Sequence, residues 1–255
     1  MLDAHPNISC GPETLFLTWL QVAEQNSWRR LVRFGITQEQ WRAHVRELFT
    51  WVHEQYARRD GKTRWADKSP GYALMLDYVE SLFPDCQVVH VIRDPRDVLD
   101  SWRRRWGVAR ARRVLRVWPQ HVSAARSFGA TRPPDRYTEI RYEELVRDPE
   151  GVMRGLLEWI GEPWDDAVMS FKQDELHSED HERAIWLGRP DERPAPTTRR
   201  TPGRGRDAEA REVDQLHGNG VFSSSVGIGI RPVNLAYALM LRRTSGALMR
   251  ELGYH

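Results

Sequence analysis

Three groups of residues have the types and spacing to do chemistry. The densest is the run from Val89 to Ser101, Val-His-Val-Ile-Arg-Asp-Pro-Arg-Asp-Val-Leu-Asp-Ser. An apolar strand there ends at Arg93, and Asp94-Pro95 starts a helix at once. In open α/β sheets ligands sit at the carboxyl ends of strands. Ser101 and Arg105 stand four apart and share a helix face. Arg93, Ser101 and Arg105 could therefore converge on one doubly charged phosphate. The bland alternative pairs Arg93 with a nearby carboxylate and leaves Arg105 to solvent. Lys68, in Trp65-Ala-Asp-Lys-Ser-Pro70, sits where a short strand meets a helix start. It suits a point contact to an anionic leaving group, or simple pairing with Asp67. Glu13, in Cys10-Gly-Pro-Glu-Thr14, could serve as a general base or as a first-turn acid favoured by the helix dipole.

The elements that would position these groups can be read from periodicity and caps. Thr37 and Gln40 form a capping box for a helix to Arg59, with Trp41, Val45, Leu48, Val52 and Tyr56 at helical spacing and Gly61 beyond. Ser69-Pro70 starts a second helix, to about Leu82. Cys86 to Ile92 reads as the best strand, Tyr137 to Tyr142 as another and Arg64 to Asp67 as a short third. Asp148-Pro149 opens a helix to about Ile160, stopped by Gly161, and a last helix covers about Leu235 to Leu252. This alternation predicts an α/β fold, a parallel sheet flanked by helices, in one domain over 1–255. Between Gly188 and Gly220 the text turns to Pro, Gly, Arg, Asp and Thr, and is expected to be a polar loop.

Composition narrows the function classes. At 255 residues and 40% apolar content the chain can bury a large core. No apolar run approaches the roughly 18–20 residues of a spanning helix. Two cysteines, Cys10 and Cys86, suit neither a disulfide framework nor a zinc site, and no other cluster has metal-ligand spacing. A reducing, cytoplasmic setting without membrane association is the expectation. Net charge is +2, yet Ser101 to Pro134 contains no acid and nine arginines. That stretch, with Trp102, Trp106 and Trp118, also admits an Arg-rich nucleic-acid-binding module.

Taken in order, the motifs resemble one family. Met1-Leu-Asp-Ala-His-Pro-Asn-Ile-Ser-Cys-Gly-Pro-Glu-Thr14 is similar to the opening of the tyrosylprotein-type sulfotransferases and their bacterial relatives. Trp65 to Pro70 resembles that family's Asn-Lys-Asp-Pro segment, although here it reads Asp-Lys-Ser-Pro. Ile92 to Ser101, Arg141-Tyr-Glu-Glu-Leu145 with Asp148-Pro149, Ser223-Ser-Ser-Val-Gly227 and Arg231-Pro-Val-Asn234 follow in the family's order. The resemblance implies the sulfotransferase fold and a sulfuryl transfer from 3′-phosphoadenosine 5′-phosphosulfate (PAPS) to an acceptor hydroxyl. In that scheme Glu13 takes the proton, with His5 as the other base to consider, and Lys68 stabilises the leaving phosphate. Arg93, Ser101 and Arg105 hold the 3′-phosphate, Tyr142 flanks the adenine, and Ser225 and Arg231 complete the donor site. No metal is implied. The acceptor could be a peptide tyrosine, a carbohydrate or a small natural product, and a homodimer stays open.

The same resemblance implies a strand and a Pro-Arg-Ser-Gly-Thr-Thr loop ahead of the Leu2-Asp3-Ala4 segment, whose backbone N–H groups cradle the 5′-phosphosulfate. This text starts inside the helix after that loop. The expectation is therefore a truncated start, with the N-terminal strand and loop missing and an open gap in the sheet. The alternatives are a non-catalytic relative that still binds the nucleotide and a rearranged donor site. The family's disulfide is not expected either, because the partner position of Cys10 is Ala66.

Overall fold

A computed structural model describes residues 1–170, 226–227 and 235–255. After a 3-10 turn at Leu2–Ala4 come β1 (Ile8–Cys10), α1 (Phe16–Leu31), α2 (Gln38–Arg59) and β2 (Arg64–Ala66). A 3-10 turn at Pro70–Leu74 leads into α3 (Leu76–Leu82), β3 (Val88–Ile92) and α4 (Pro95–Trp106). Then follow α5 (Val108–Ala111), α6 (Val114–Gly129), β4 (Tyr137–Arg141), α7 (Tyr142–Arg147), α8 (Pro149–Ile160) and, after residues outside the description, α9 (Leu235–Glu251). The expected polar loop at 188–220 lies wholly outside the described residues.

Strand pairing is parallel throughout, as the alternation of elements predicts. It comes as two two-stranded sheets, β1 with β2 and β3 with β4, rather than as one sheet. Cys10 stands opposite Ala66, and Ile92 opposite Arg141. Residues of both β2 and β3 line a single large cavity of about 1320 Å³. The strand edges thus stand open to a gap among the described residues.

Local chemistry accounts for the element boundaries. Thr37 accepts from the Gln40 N–H while Gln40 returns a bond to the Thr37 N–H, so the capping box of α2 is complete. Asp94 accepts from the Arg96 N–H to open α4, and Asp148 from the Gly151 N–H to open α8. Gly161 ends α8 at φ 78°, where a side chain would be strained. One expectation is revised at Ser69. The predicted continuous helix to Leu82 divides into the 3-10 turn and α3, with Met75 between them at φ −140°. The Ser69 hydroxyl makes no cap because it is engaged elsewhere.

The face of α2 is a second revision. The spacing from Trp41 to Tyr56 puts Leu48 and Val52 on the inner stripe. The structure buries Val45 as expected, together with Phe49, His53 and Ala57, leaves Trp41, Val52 and Tyr56 half-buried, and exposes Leu48 by 46%. Phe49 decides the rotation, because its ring packs against Phe16, Trp65 and Phe83 at centroid distances of 4.9–5.8 Å. A helix with apolar residues on several faces turns its largest well-fitted ring inward. On the other sheet, Ile92 packs with Leu99, Val114, Trp118 and α9, while Ile140 packs with α8 and Ile8. Urea denaturation should show Phe49→Ala costing about 3–5 kcal/mol and Leu48→Ala under about 1 kcal/mol. Equal costs would contradict the observed rotation of α2.

Candidate active site

Parallel pairing explains how distant residues meet. Glu13 follows the carboxyl end of β1, and Lys68 follows that of β2. Because Cys10 and Ala66 are in register, both segments leave the sheet on the same side. The two side chains line the common cavity, and a direct contact ties their loops together. The Ser69 hydroxyl donates to Glu13 Oε1 at 2.8 Å. Glu13 is buried, so that bond is made largely out of water. Just beyond it Leu15 adopts φ 58°, a left-handed conformation that no other non-glycine shares among the described residues. Such a residue is held by its surroundings at some energetic cost, and Leu15 is itself buried.

The second sheet repeats the arrangement. Arg93 follows β3 and Tyr142 follows β4, and their strand ends are in register. The Arg93 guanidinium lies over the Tyr142 ring at 4.5 Å. The peptide unit that follows Arg93 is anchored at both its carbonyl and its N–H. Trp118 Nε1 donates to its carbonyl at 2.9 Å, and the Asp94 N–H donates to Glu143 at 2.7 Å. Arg93 lines the cavity together with Glu13 and Lys68. Ser101 and Arg105 share α4, as their spacing requires, but neither is among the cavity-lining residues. Ser225 and Arg231 lie outside the described residues. Nearby, Gly227 is described, and its N–H donates to Asp97 of α4 at 2.8 Å.

Several residues that sequence spacing leaves unremarked turn out to border the site. Asp67 is not merely a partner for its neighbour Lys68. Its oxygens face His53 Nε2 at 3.5 Å and the Tyr72 hydroxyl at 2.5 Å. Burial pushes the Asp67 carboxyl up, but the hydrogen bonds from His53, Tyr72 and the Lys68 backbone outweigh it and hold it below the usual range. Burial and the adjacent Asp67 charge push the Tyr72 phenol far up, so it stays a donor. Burial also raises the Cys10 thiol, with Lys68 opposing. Cys10 and Cys86 are free thiols. His5, the other base considered, has both ring nitrogens engaged. It is fully buried, one ring nitrogen bonds the Pro163 carbonyl at 2.9 Å and the other accepts from the Asn7 N–H at 3.1 Å.

Part of the Arg-rich stretch has structural partners. Arg103 and Arg104 both bind the buried Asp100, at 2.8 and 2.9 Å. Trp118 is core, and Trp102 meets Trp106 edge-on at 5.0 Å. Trp102 and Trp106 are half-buried and line the same cavity as Arg93. No group of three or more metal-ligating side chains occurs among the described residues. No helix among them is long and apolar enough to cross a membrane.

Comparison with known proteins agrees with this architecture. The model of the Sulfotransferase family matches residues 1–166 of the 255, and the chain belongs to that family. It is 27% identical over 187 residues to the protein-tyrosine sulfotransferase of Drosophila melanogaster, covering 68% of this chain and 37% of that protein. Protein-tyrosine sulfotransferase A of Caenorhabditis elegans is 26% identical over 185 residues, covering 68% and 48% respectively. The nodulation protein NoeE of Sinorhizobium fredii is 27% identical over 117 residues, 42% of this chain and 28% of that one. The chain thus spans about half or less of the length of these relatives. The sulfotransferase domain of the Synechococcus PCC 7002 olefin synthase shares the fold at a TM-score of 0.50, with 24% identity over 74% of each chain. That of the curacin biosynthetic pathway also gives 0.50, with 19% identity over 72% and 76%.

The Asp67 cluster has a consequence for acid stability. A carboxyl held below its unfolded value, near 3.9, contributes stability that is fully present above that value and lost as pH falls through the folded one. Thermal midpoints followed from about pH 6 down to pH 2 should fall for the wild type. Asp67→Asn should fall less steeply below about pH 4. Parallel curves would show that Asp67 does not carry this linkage.

Proposed function

We propose that this chain transfers a sulfuryl group from PAPS to an acceptor hydroxyl, with Glu13 as base and Lys68 on the leaving side. The observation that carries the reading is the meeting of Glu13 and Lys68 at one cavity, through parallel strand ends in register. Sulfuryl transfer is an in-line displacement at a charged centre. It needs a base on one side, cations on the other and a rigid anchor for the donor. In the proposed step a carboxylate oxygen of Glu13 takes the acceptor's O–H proton as the acceptor oxygen bonds to sulfur. The bond from sulfur to the bridging oxygen breaks, its electron pair goes to the departing 5′-phosphate, and the Lys68 ammonium offsets the charge. Arg93 anchors the 3′-phosphate, supported by Ser101 and Arg105, and Tyr142 flanks the adenine. The anchored peptide unit after Arg93 supports that role. Ser225 and Arg231 belong to the donor site only by resemblance.

A tyrosine phenol is the first acceptor to try, because two of the relatives carry protein-tyrosine in their names. A reducing, cytoplasmic setting is part of the proposal, since Cys10 faces Ala66 across the strand pair rather than a second cysteine. Turnover is followed with PAPS and a panel of tyrosine peptides, oligosaccharides and small phenols. Glu13→Gln should lose about 10²–10⁴-fold in turnover while nucleotide affinity holds. Arg93→Ala should cost about 2–5 kcal/mol of affinity for 3′-phosphoadenosine 5′-phosphate. Unchanged affinity would remove Arg93 from the donor site. Thermal unfolding with that nucleotide, and with AMP as control, separates the readings. At 100 times the dissociation constant it should add about 2.7 kcal/mol, and AMP much less. Nucleotide binding with no turnover on any acceptor would mark a non-catalytic relative.

A further inference from the structure

His53 sits in the middle of α2, and its side chain is almost entirely buried. The ring is walled by Phe49 and Trp65, with centroids at 4.2 and 4.8 Å. Its Nδ1 lies 2.8 Å from the carbonyl of Phe49, one turn back along the helix. A carbonyl oxygen can only accept, so Nδ1 carries a hydrogen. The other nitrogen, Nε2, faces Asp67 Oδ1 at 3.5 Å. If the ring were neutral and Asp67 ionised, two lone pairs would oppose each other in a buried space, which is unfavourable. A proton between Nε2 and Oδ1 removes that opposition. The second oxygen of Asp67 already accepts from the Tyr72 hydroxyl. The backbone N–H of Lys68 also bonds the same carboxylate.

Asp67, Lys68 and Ser69 are consecutive. The first is held by His53 and Tyr72. The third bonds Glu13 and is followed at once by Pro70 and its 3-10 turn. Lys68 thus stands between two fixed points. We propose that His53 is a positioning residue: protonated on both nitrogens, it clamps Asp67 and so fixes the backbone that carries Lys68 and holds the Ser69 hydroxyl on Glu13. What Lys68 and Glu13 then accomplish rests on the sulfuryl-transfer reading, but the clamp itself does not. It belongs to this chain's departure from the Asn-Lys-Asp-Pro pattern. An asparagine at 67 could donate an N–H to a neutral imidazole and would need no shared proton. An aspartate needs one.

The test uses the whole chain, without ligand first. Nitrogen-15 spectra of the imidazoles should show both nitrogens of His53 bearing hydrogen at pH 7. In Asp67→Asn the same ring should change to one protonated and one bare nitrogen. A wild-type ring with a bare Nε2 would overturn the proposal. Amide exchange supplies the positional readout. His53→Phe keeps an aromatic ring among Phe49 and Trp65, and should speed exchange of the Lys68 N–H about tenfold or more while Trp65 in β2 is unaffected. If His53→Phe does not fold, Asp67→Asn serves for the same comparison. Unchanged exchange at Lys68 would overturn the clamp. Calorimetric titration with 3′-phosphoadenosine 5′-phosphate then connects the clamp to the site. A misplaced Lys68 should weaken binding about tenfold or more. Equal affinity in wild type and variant would overturn the positioning role. A wild type that binds no nucleotide would overturn the proposed function, while the nitrogen spectra and exchange rates still decide the clamp.

Discussion

The parallel registers between β1 and β2, and between β3 and β4, govern where Glu13, Lys68, Arg93 and Tyr142 lie. In a parallel pair the two carboxyl ends leave the sheet together. Segments that follow strands far apart in the chain are then delivered to one place. Glu13 and Lys68 depend on the first pair, Arg93 and Tyr142 on the second. Had β2 run antiparallel to β1, the length of a three-residue strand, about 10 Å, would separate Lys68 from Glu13. The hydrogen bond from Ser69 to Glu13 could not form. Short strands suffice here because the side chains beyond them, rather than the ladders, make the site.

Around those strand ends the charges are sorted by burial. Asp100 takes up Arg103 and Arg104, and Asp94 takes up Arg96. Arg103, Arg104 and Arg96 thus satisfy buried carboxylates, while Arg105, Arg112, Arg113 and Arg116 of the Arg-rich stretch are exposed. The cavity is lined by Trp65, Phe83, Val89, Trp102 and Trp118 as well as by Glu13, Lys68 and Arg93. In such surroundings a few fixed charges act more strongly than they would in water. The gap between the two sheets belongs to the same picture, since the open strand edges and the charged groups share one cavity.

The residues next to Lys68 show how a local departure in sequence is absorbed by tertiary structure. A carboxylate at position 67 is buried against an imidazole from α2 and a phenol from the 3-10 turn. The hydroxyl at 69 gives up capping its own turn and reaches Glu13 instead. Neither partner could be inferred from the segment alone. His53 lies fourteen positions before Asp67 in a helix whose rotation is set by Phe49, and Glu13 lies fifty-six before Ser69.

Much of this protein was legible in its text. Helix starts at Thr37, Asp94 and Asp148, the stop at Gly161 and the four-residue step from Ser101 to Arg105 are local, because caps and i,i+4 neighbours involve bonds within one turn. The alternation of strands and helices likewise implied parallel pairing. Residue types at strand ends singled out Lys68 and Arg93, and Glu13 was singled out ahead of a helix, while β1 at Ile8–Cys10 was not read from the text. The tertiary structure decided which face of α2 is buried, that the four described strands form two pairs with a cavity between them, and that His53, Asp67, Tyr72 and Ser69 surround the site. These depend on which large side chains find room against one another and on where buried polar atoms find partners. Both are settled between segments distant in sequence, where no local spacing records them.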